Sequence, residues 1–214
     1  MSVPARVLVH PLLAERGVRH GFGVRGAEPP DDLWRPRQVH GSTLVVAEGK
    51  RWSEPPAADA VAASRPGRAV GVVTADCVPV LLASARGEWV LAVHAGWRGL
   101  AAGVVEATVR ALDCEPGSLV AWLGPSIGPD AFEVGPEVRA ALLARDPGAA
   151  AAFRAGRADR LFADLPVLAW RRLAAAGVSA VHGGGLCTHA EPALFYSYRR
   201  DGATGRMAAL AWLE

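Results

Sequence analysis

Short runs of apolar, often β-branched residues recur along the chain, separated by stretches rich in Pro, Gly and charge. Runs at residues 6–10, 43–47, 69–74, 78–83, 88–94, 118–123, 178–182 and 206–213 predict strands. Between residues 70 and 94 the apolar sequence is nearly continuous, which predicts strands buried on both faces. Three segments carry a helical period instead. Residues 98–113 place Leu100, Val104, Val105, Val109 and Leu112 at near-helical spacing, and Pro116-Gly117 closes the segment. Residues 136–145 open on a proline suited to a first turn. Residues 165–176 have Asp164 as N-cap, Pro166 in the first turn and Gly177 just past the end. The apolar face of that helix is Leu165, Leu168, Ala169, Leu173 and Ala176. Residues 24–36 and 50–58 read as loops, and the alanine-rich stretch 146–158 as a surface helix or a loose connection. Strands grouped early, with helices and strands mixed later, predict an α+β fold: one domain over residues 1–214, with mixed β-sheets flanked by helices.

Composition narrows the function classes. A net charge of +2, with scattered basic residues, gives no case for nucleic acid. Lys50 is the sole lysine, so 22 of the 23 basic residues are arginine. It lies in the polar string AEGKRWSE, a poor setting for a buried amine, and no G-x4-G-K-[ST] string is present. An anionic substrate group must therefore be met by arginine, helix termini or backbone amides. Three widely spaced cysteines argue against a disulfide framework and for a reducing compartment. No leader-like N-terminus and no long uncharged apolar stretch are present, so the expectation is a soluble cytoplasmic protein without membrane partners.

Three residues stand out as candidate chemistry: His40 in RPRQVHG, Cys77 in TADCVPVLL and His94 in LAVHAGWRGL. Cys77 and His94 fall where strands give way to loops, the usual place for sites built on a rigid scaffold. Two imidazoles and a thiolate form a three-ligand zinc set with a fourth position open, the arrangement of catalytic zinc. Other readings stay open at this point. A lone cysteine is more often a small buried hydrophobe than a ligand, and a lone histidine at a strand end is more often simply hydrogen-bonded. The same residues also suit a metal-independent hydrolase, with Cys77 as nucleophile, His94 as base and Asp76 or His40 orienting it. A non-enzymatic binding module is a further alternative, the least favoured because Cys, His and Arg gather at strand ends.

The strings QVHG, TADCVPVLL, HAGWRGL and LGPSIGP, with the closing block CTHAEPALFYSYRRDGATGRMA, resemble the laccase-domain (YfiH-like) family, also called multicopper polyphenol oxidase. The resemblance extends over about residues 20–213. It implies a YfiH-like, cysteine-hydrolase type fold and a catalytic zinc bound by His40, Cys77 and His94. It also implies phosphorolysis of adenosine, inosine or guanosine, cleavage of methylthioadenosine by phosphate, and deamination of adenosine. The partners are then a purine nucleoside and phosphate, taken by a monomer or a homodimer. Copper oxidase chemistry, which the older name suggests, needs a trinuclear cluster typically built from His-x-His pairs; this chain has six histidines and no such pair. The chain departs from the family in HGFGVRGAEPPDDLWRPRQVHG, where Gly23 replaces a serine and a helix before QVHG is missing. That departure bears on one wall of the site.

Arg25, Arg98, Arg199 and Arg200 are candidates for phosphate, since a guanidinium binds it through paired hydrogen bonds. Arg98 sits in the His94 loop and joins Cys77, His40 and His94 as catalytic; Arg25, Gln38 and Arg199 are assigned to substrate binding. Gly124–Gly128 reads as a tight turn or an anion-binding loop. The string HGGGLCTH at 182–189 offers ligands for a second metal, which we do not favour. Phe195, Tyr196 and Tyr198 either stack on a purine or form two faces of one strand.

Overall fold

The computed structural model describes residues 7–15 and 17–214. Arg6, the first residue of the strand expected at 6–10, lies outside the described residues. The strands are β1 (Val7–Leu8), β2 (Val18–Gly23), β3 (Leu44–Val46), β4 (Ala60–Ala63), β5 (Val70–Thr74), β6 (Val78–Ser84), β7 (Val90–Ala95), β8 (Leu119–Leu123), β9 (Glu133–Val134), β10 (Phe153–Ala155), β11 (Leu161–Ala163), β12 (Ala180–Gly183) and β13 (Met207–Leu213). The helices are α1 (Pro11–Ala14), α2 (Trp97–Ala102), α3 (Val104–Arg110), α4 (Pro136–Leu143), α5 (Leu165–Ala175) and α6 (Tyr198–Asp201).

The central layer is a six-stranded sheet in the order β12-β8-β6-β7-β4-β3, antiparallel except for the parallel pairs at its two ends. Period-two alternation explains the near-continuous apolar sequence of its strands. In β6, Val78, Val80 and Leu82 pack toward the helical layer with residues of α2, α3, α4 and α5. Leu81 and Ala83 point the other way, against the four-stranded antiparallel sheet β1-β2-β13-β5. Strands β7 and β8 divide in the same manner, with Leu91, Val93 and Leu119 on the helix side and Val90, Val120 and Trp122 on the sheet side. A side chain such as Leu81, 1% exposed between the two sheets, contributes about 1.5–3 kcal/mol by leaving water. A small antiparallel sheet, β10-β11-β9, completes the α+β fold.

The long helix expected at 98–113 is two helices. Gly103 adopts φ +86° between α2 and α3, a conformation that disfavours other residues. Arg145 then donates from Nε and Nη2 to the carbonyls of Ala101 and Ala102, serving groups that the break leaves open. Helix α5 matches its expected caps: the Asp164 side chain accepts from the N–H of Val167, and Gly177 has φ +89°. The stretch 146–158 is neither alternative alone, since a 3-10 helix at Pro147–Ala152 runs into β10. Strands β2 and β4 were not anticipated, nor were the small sheet, α1 or α6. Among the described residues no helix is long and apolar enough to cross a membrane.

Candidate metal centre and cavity

His94 lies in β7 opposite Pro79 of β6 and is 3% exposed. Cys77 sits in the connection from β5 to β6, at the point where the chain passes from one large sheet to the other. His40 lies in the loop before β3 with φ +59°. The fold brings the three together, with their ligand atoms all within 4.8 Å of one another. The two imidazole centroids are 4.8 Å apart and the rings nearly perpendicular. Gly96 lets Cys77 close onto this group: a Cβ at position 96 would stand 2.9 Å from the Cys77 Sγ and 3.4 Å from His40.

Two acids flank the trio. Asp59, just before β4, is fully buried, and its Oδ1 lies 2.8 Å from the Nδ1 of His94. The same carboxylate accepts from the backbone N–H of Val39, His40 and Gly41 at 3.1, 2.9 and 2.7 Å. Asp76, with φ +96°, accepts from the Thr188 hydroxyl at 2.6 Å and from the Arg199 N–H at 2.7 Å. It therefore ties the C-terminal segment to the Cys77 loop and does not orient His94. In the hydrolase alternative, the orienting group would be Asp59 in place of Asp76 or His40. Sequence reasoning passed over Asp59, although it is the lone charge in the apolar run AADAVAA, which is a signal for a buried, partnered acid.

Burial of the Cys77 thiol opposes ionisation, but hydrogen bonds from His40 and His94 and their charge outweigh it and bring the thiol down to about 7. Burial likewise opposes charge on His94, yet hydrogen bonds to Asp59 and Cys77 raise it to about 9. Opposed by burial but held chiefly by His94, Asp59 stays below its ordinary range. The raised His94 stabilises the metal-free fold below about pH 6.5, an effect lost as pH rises through about 9; the depressed Cys77 acts in the opposite sense and is lost as pH falls through about 7. A metal must displace these protons. Zinc uptake is expected to release about one proton per ion between pH 7 and 9, and more below 7 as the Cys77 thiol also carries its proton, with apparent affinity climbing about tenfold per unit in the upper range. A pH-indicator dye in weak buffer measures this, and uptake without proton release would refute it.

The trio opens on a cavity of about 710 Å3, within the usual range for small-molecule sites. Arg35, Arg37, Arg98, Arg199 and Arg206 line it, against Glu54 and the already engaged Asp76. Arg98 lies over the Trp97 ring at 4.5 Å. Arg199 donates to the carbonyls of Ala131 and Glu133 and lies 5.4 Å over Phe132. Gln38 also lines the cavity, but its amide is paired both ways with the backbone of Val73 at 2.8 Å. Arg25 does not line the cavity; it stacks on Tyr196 at 4.2 Å and donates to the Phe195 carbonyl. Arg200 is likewise structural, donating to the carbonyls of Thr188, His189 and Phe195. Phe195 is fully buried, whereas Tyr198 lines the cavity. The amides of Gly124, Ser126 and Ile127 go to protein carbonyls and that of Gly128 to the Cys187 sulfur, so none is left for an anion; the stretch is not a tight turn either, since Ser126 forms a parallel bridge with Cys187. Among the described residues, no second group of three ligating side chains forms around 182–189.

A sequence model of the family described as multi-copper polyphenol oxidoreductase laccase matches residues 21–214. Purine nucleoside phosphorylase PA4543 of Pseudomonas aeruginosa is 52% identical over 178 residues, covering 83% of this chain and 72% of the relative. Purine nucleoside phosphorylase YfiH of Escherichia coli K12 is 47% identical over 188 residues, covering 88% and 76%. The crystal structure of Neisseria meningitidis protein NMB0706 superposes with a TM-score of 0.87 at 36% identity, covering 92% of this chain and 95% of that one. With the α+β fold, the His-Cys-His group and this match over most of its length, the chain belongs to the multi-copper polyphenol oxidoreductase laccase (YfiH-like) family.

Proposed function

We propose that this chain is a zinc-dependent purine nucleoside phosphorylase, acting on adenosine, inosine, guanosine and methylthioadenosine, with a second activity as an adenosine deaminase. The observation that carries the reading is a His40–Cys77–His94 group opening on an arginine-lined cavity. The donor set fits zinc: one soft thiolate and two imidazoles, with a buried carboxylate behind one of them. When bound, zinc acts as a Lewis acid and lowers the pKa of a bound water to around 7.

The chain's own residues supply the rest. Arg98 and Arg199 present cationic donors to phosphate, and the rings of Trp97, Phe132 and Tyr198 offer flat faces to a purine. In phosphorolysis, a phosphate oxygen bonds to C1′ as the bond from C1′ to the purine nitrogen breaks. The purine leaves with the bonding pair and takes up a proton. Asp59 holds a proton at the Nδ1 of His94. The cytoplasm, where a free Cys77 stays reduced, suits this chemistry.

Metal-replete protein is incubated with adenosine, with and without phosphate. Adenine plus ribose 1-phosphate, dependent on phosphate, is the expected result, with inosine reporting deamination. Neither product at any metal content would refute the reading. One observation favours a second reading. Cys77, His94 and Asp59 form a chain of contacts suited to thiolate catalysis without metal, a hydrolase for which cell-wall peptide precursors are one substrate class. Full activity after chelation, lost on thiol alkylation, would select it.

A further inference from the structure

We propose that Asp59 is the positioning residue of the centre: one buried carboxylate holds both histidine-bearing segments and fixes which nitrogen of His94 faces the site. This rests on the metal reading above. Asp59 is 0% exposed and does not line the cavity, so it acts only through its neighbours. Four N–H groups converge on its two oxygens. Oδ1 meets the His40 N–H and the His94 Nδ1, and Oδ2 meets the N–H of Val39 and Gly41. A buried carboxylate is costly unless it is fully bonded, and charge-assisted bonds of this kind are the strong ones.

Each bond has a separate consequence. The bonds to residues 39–41 grip successive amides around His40, whose φ of +59° is disfavoured for a residue with a side chain. They hold that loop in the one conformation that sends the imidazole toward Cys77. The bond to Nδ1 places the proton there, leaving the Nε2 lone pair for a ligand. The main chain adds a third tie, since the Asp59 carbonyl accepts from the His94 N–H at 2.7 Å. His40 and His94 lie far apart in sequence, and Asp59 is where their positions are made dependent on one another.

Asp59→Asn keeps the size and removes the fit. Whichever way the amide turns, its NH2 faces a pair of N–H donors, and either the His94 contact or the loop contact is lost. The zinc dissociation constant, read by competition with a chromogenic chelator, is expected to rise about 10–100-fold. In protein labelled with 15N-histidine, the bonded Nδ1 proton of His94 is expected to be visible in the unchanged chain and lost or strongly shifted in the variant. A purely structural Asp59 would lower the melting temperature while leaving zinc affinity and that resonance alone. A folded variant that binds zinc within threefold of the unchanged chain overturns the proposal. If the variant does not fold, the resonance in the unchanged chain decides: a slowly exchanging Nδ1 proton supports the proposal and its absence overturns it. The resonance is read without metal as well, so failure to bind zinc refutes the metal reading while the hold on His94 is still measured.

Discussion

Replacing Cys77 with alanine is expected to strip the protein of bound zinc and to lower kcat/KM for phosphorolysis at least about 100-fold. The bound comes from the milder case: loss of a group that merely supports a ligand already costs about 10–100-fold, and Cys77 supplies the only sulfur in the trio. The fold should survive, because the residue lies outside β6 and the core strands around it are fixed by their own pairings. Zinc content after dialysis, measured by elemental analysis, and phosphate-dependent purine release are the two readouts. Zinc retained at full stoichiometry would show that the thiolate is not a ligand. Activity lost from the alanine variant, in a parent enzyme indifferent to chelators, would move Cys77 from ligand to nucleophile.

The second large effect is expected at a residue with no functional group. Gly96 has φ −75° and ψ 165°, values that any residue adopts, so its backbone does not demand glycine. The demand is contact: an added methyl would stand 2.9 Å from the Cys77 sulfur, with His40 3.4 Å away on the same side. Gly96→Ala must therefore spread the trio, and a misplacement of about 1 Å at a reacting centre can cost about 100-fold. We expect zinc affinity and kcat/KM to fall together, each by about 10–100-fold, with the circular dichroism spectrum unchanged. Zinc affinity equal to that of the parent would show that the sulfur moves aside without consequence.

The glycine helps explain what the sequence made legible and what it hid. Both large sheets could be read where their strands are apolar on two faces, as in β6, β7 and β8 of the six-stranded sheet and β13 of the four-stranded one, because burial on both sides leaves nothing to break the run. Strand β2 escaped because its apolar residues are interrupted by Arg19, His20 and Gly21; Gly21 is there to admit Val7, whose Cγ1 would meet a Cβ at 2.1 Å. Strand β4 is mostly alanine, which carries no strand preference of its own and is placed by its neighbours. His40, Cys77 and His94 were visible as residues with distinctive neighbours, yet their meeting depends on sheet packing that spacing does not encode. Arg35, Arg37 and Arg206 were lost among many arginines, since only the folded chain shows which of them face the cavity. Asp59 was legible in principle: an acid amid six apolar residues must find donors.

The segment just ahead of His40 is also the seal of a sheet. Strand β5 ends the four-stranded sheet, and its outer backbone groups are taken by Trp34 and by the two-way amide of Gln38. Residues 35–38 therefore wall the cavity on one side and close an exposed strand edge on the other. Swinging them outward to admit a substrate would uncover unpaired peptide groups ready to recruit a neighbouring chain. Such a wall makes a poor door: substrates must enter past the remaining rim, and mutations that loosen this stretch should show first as aggregation and only then as altered selectivity.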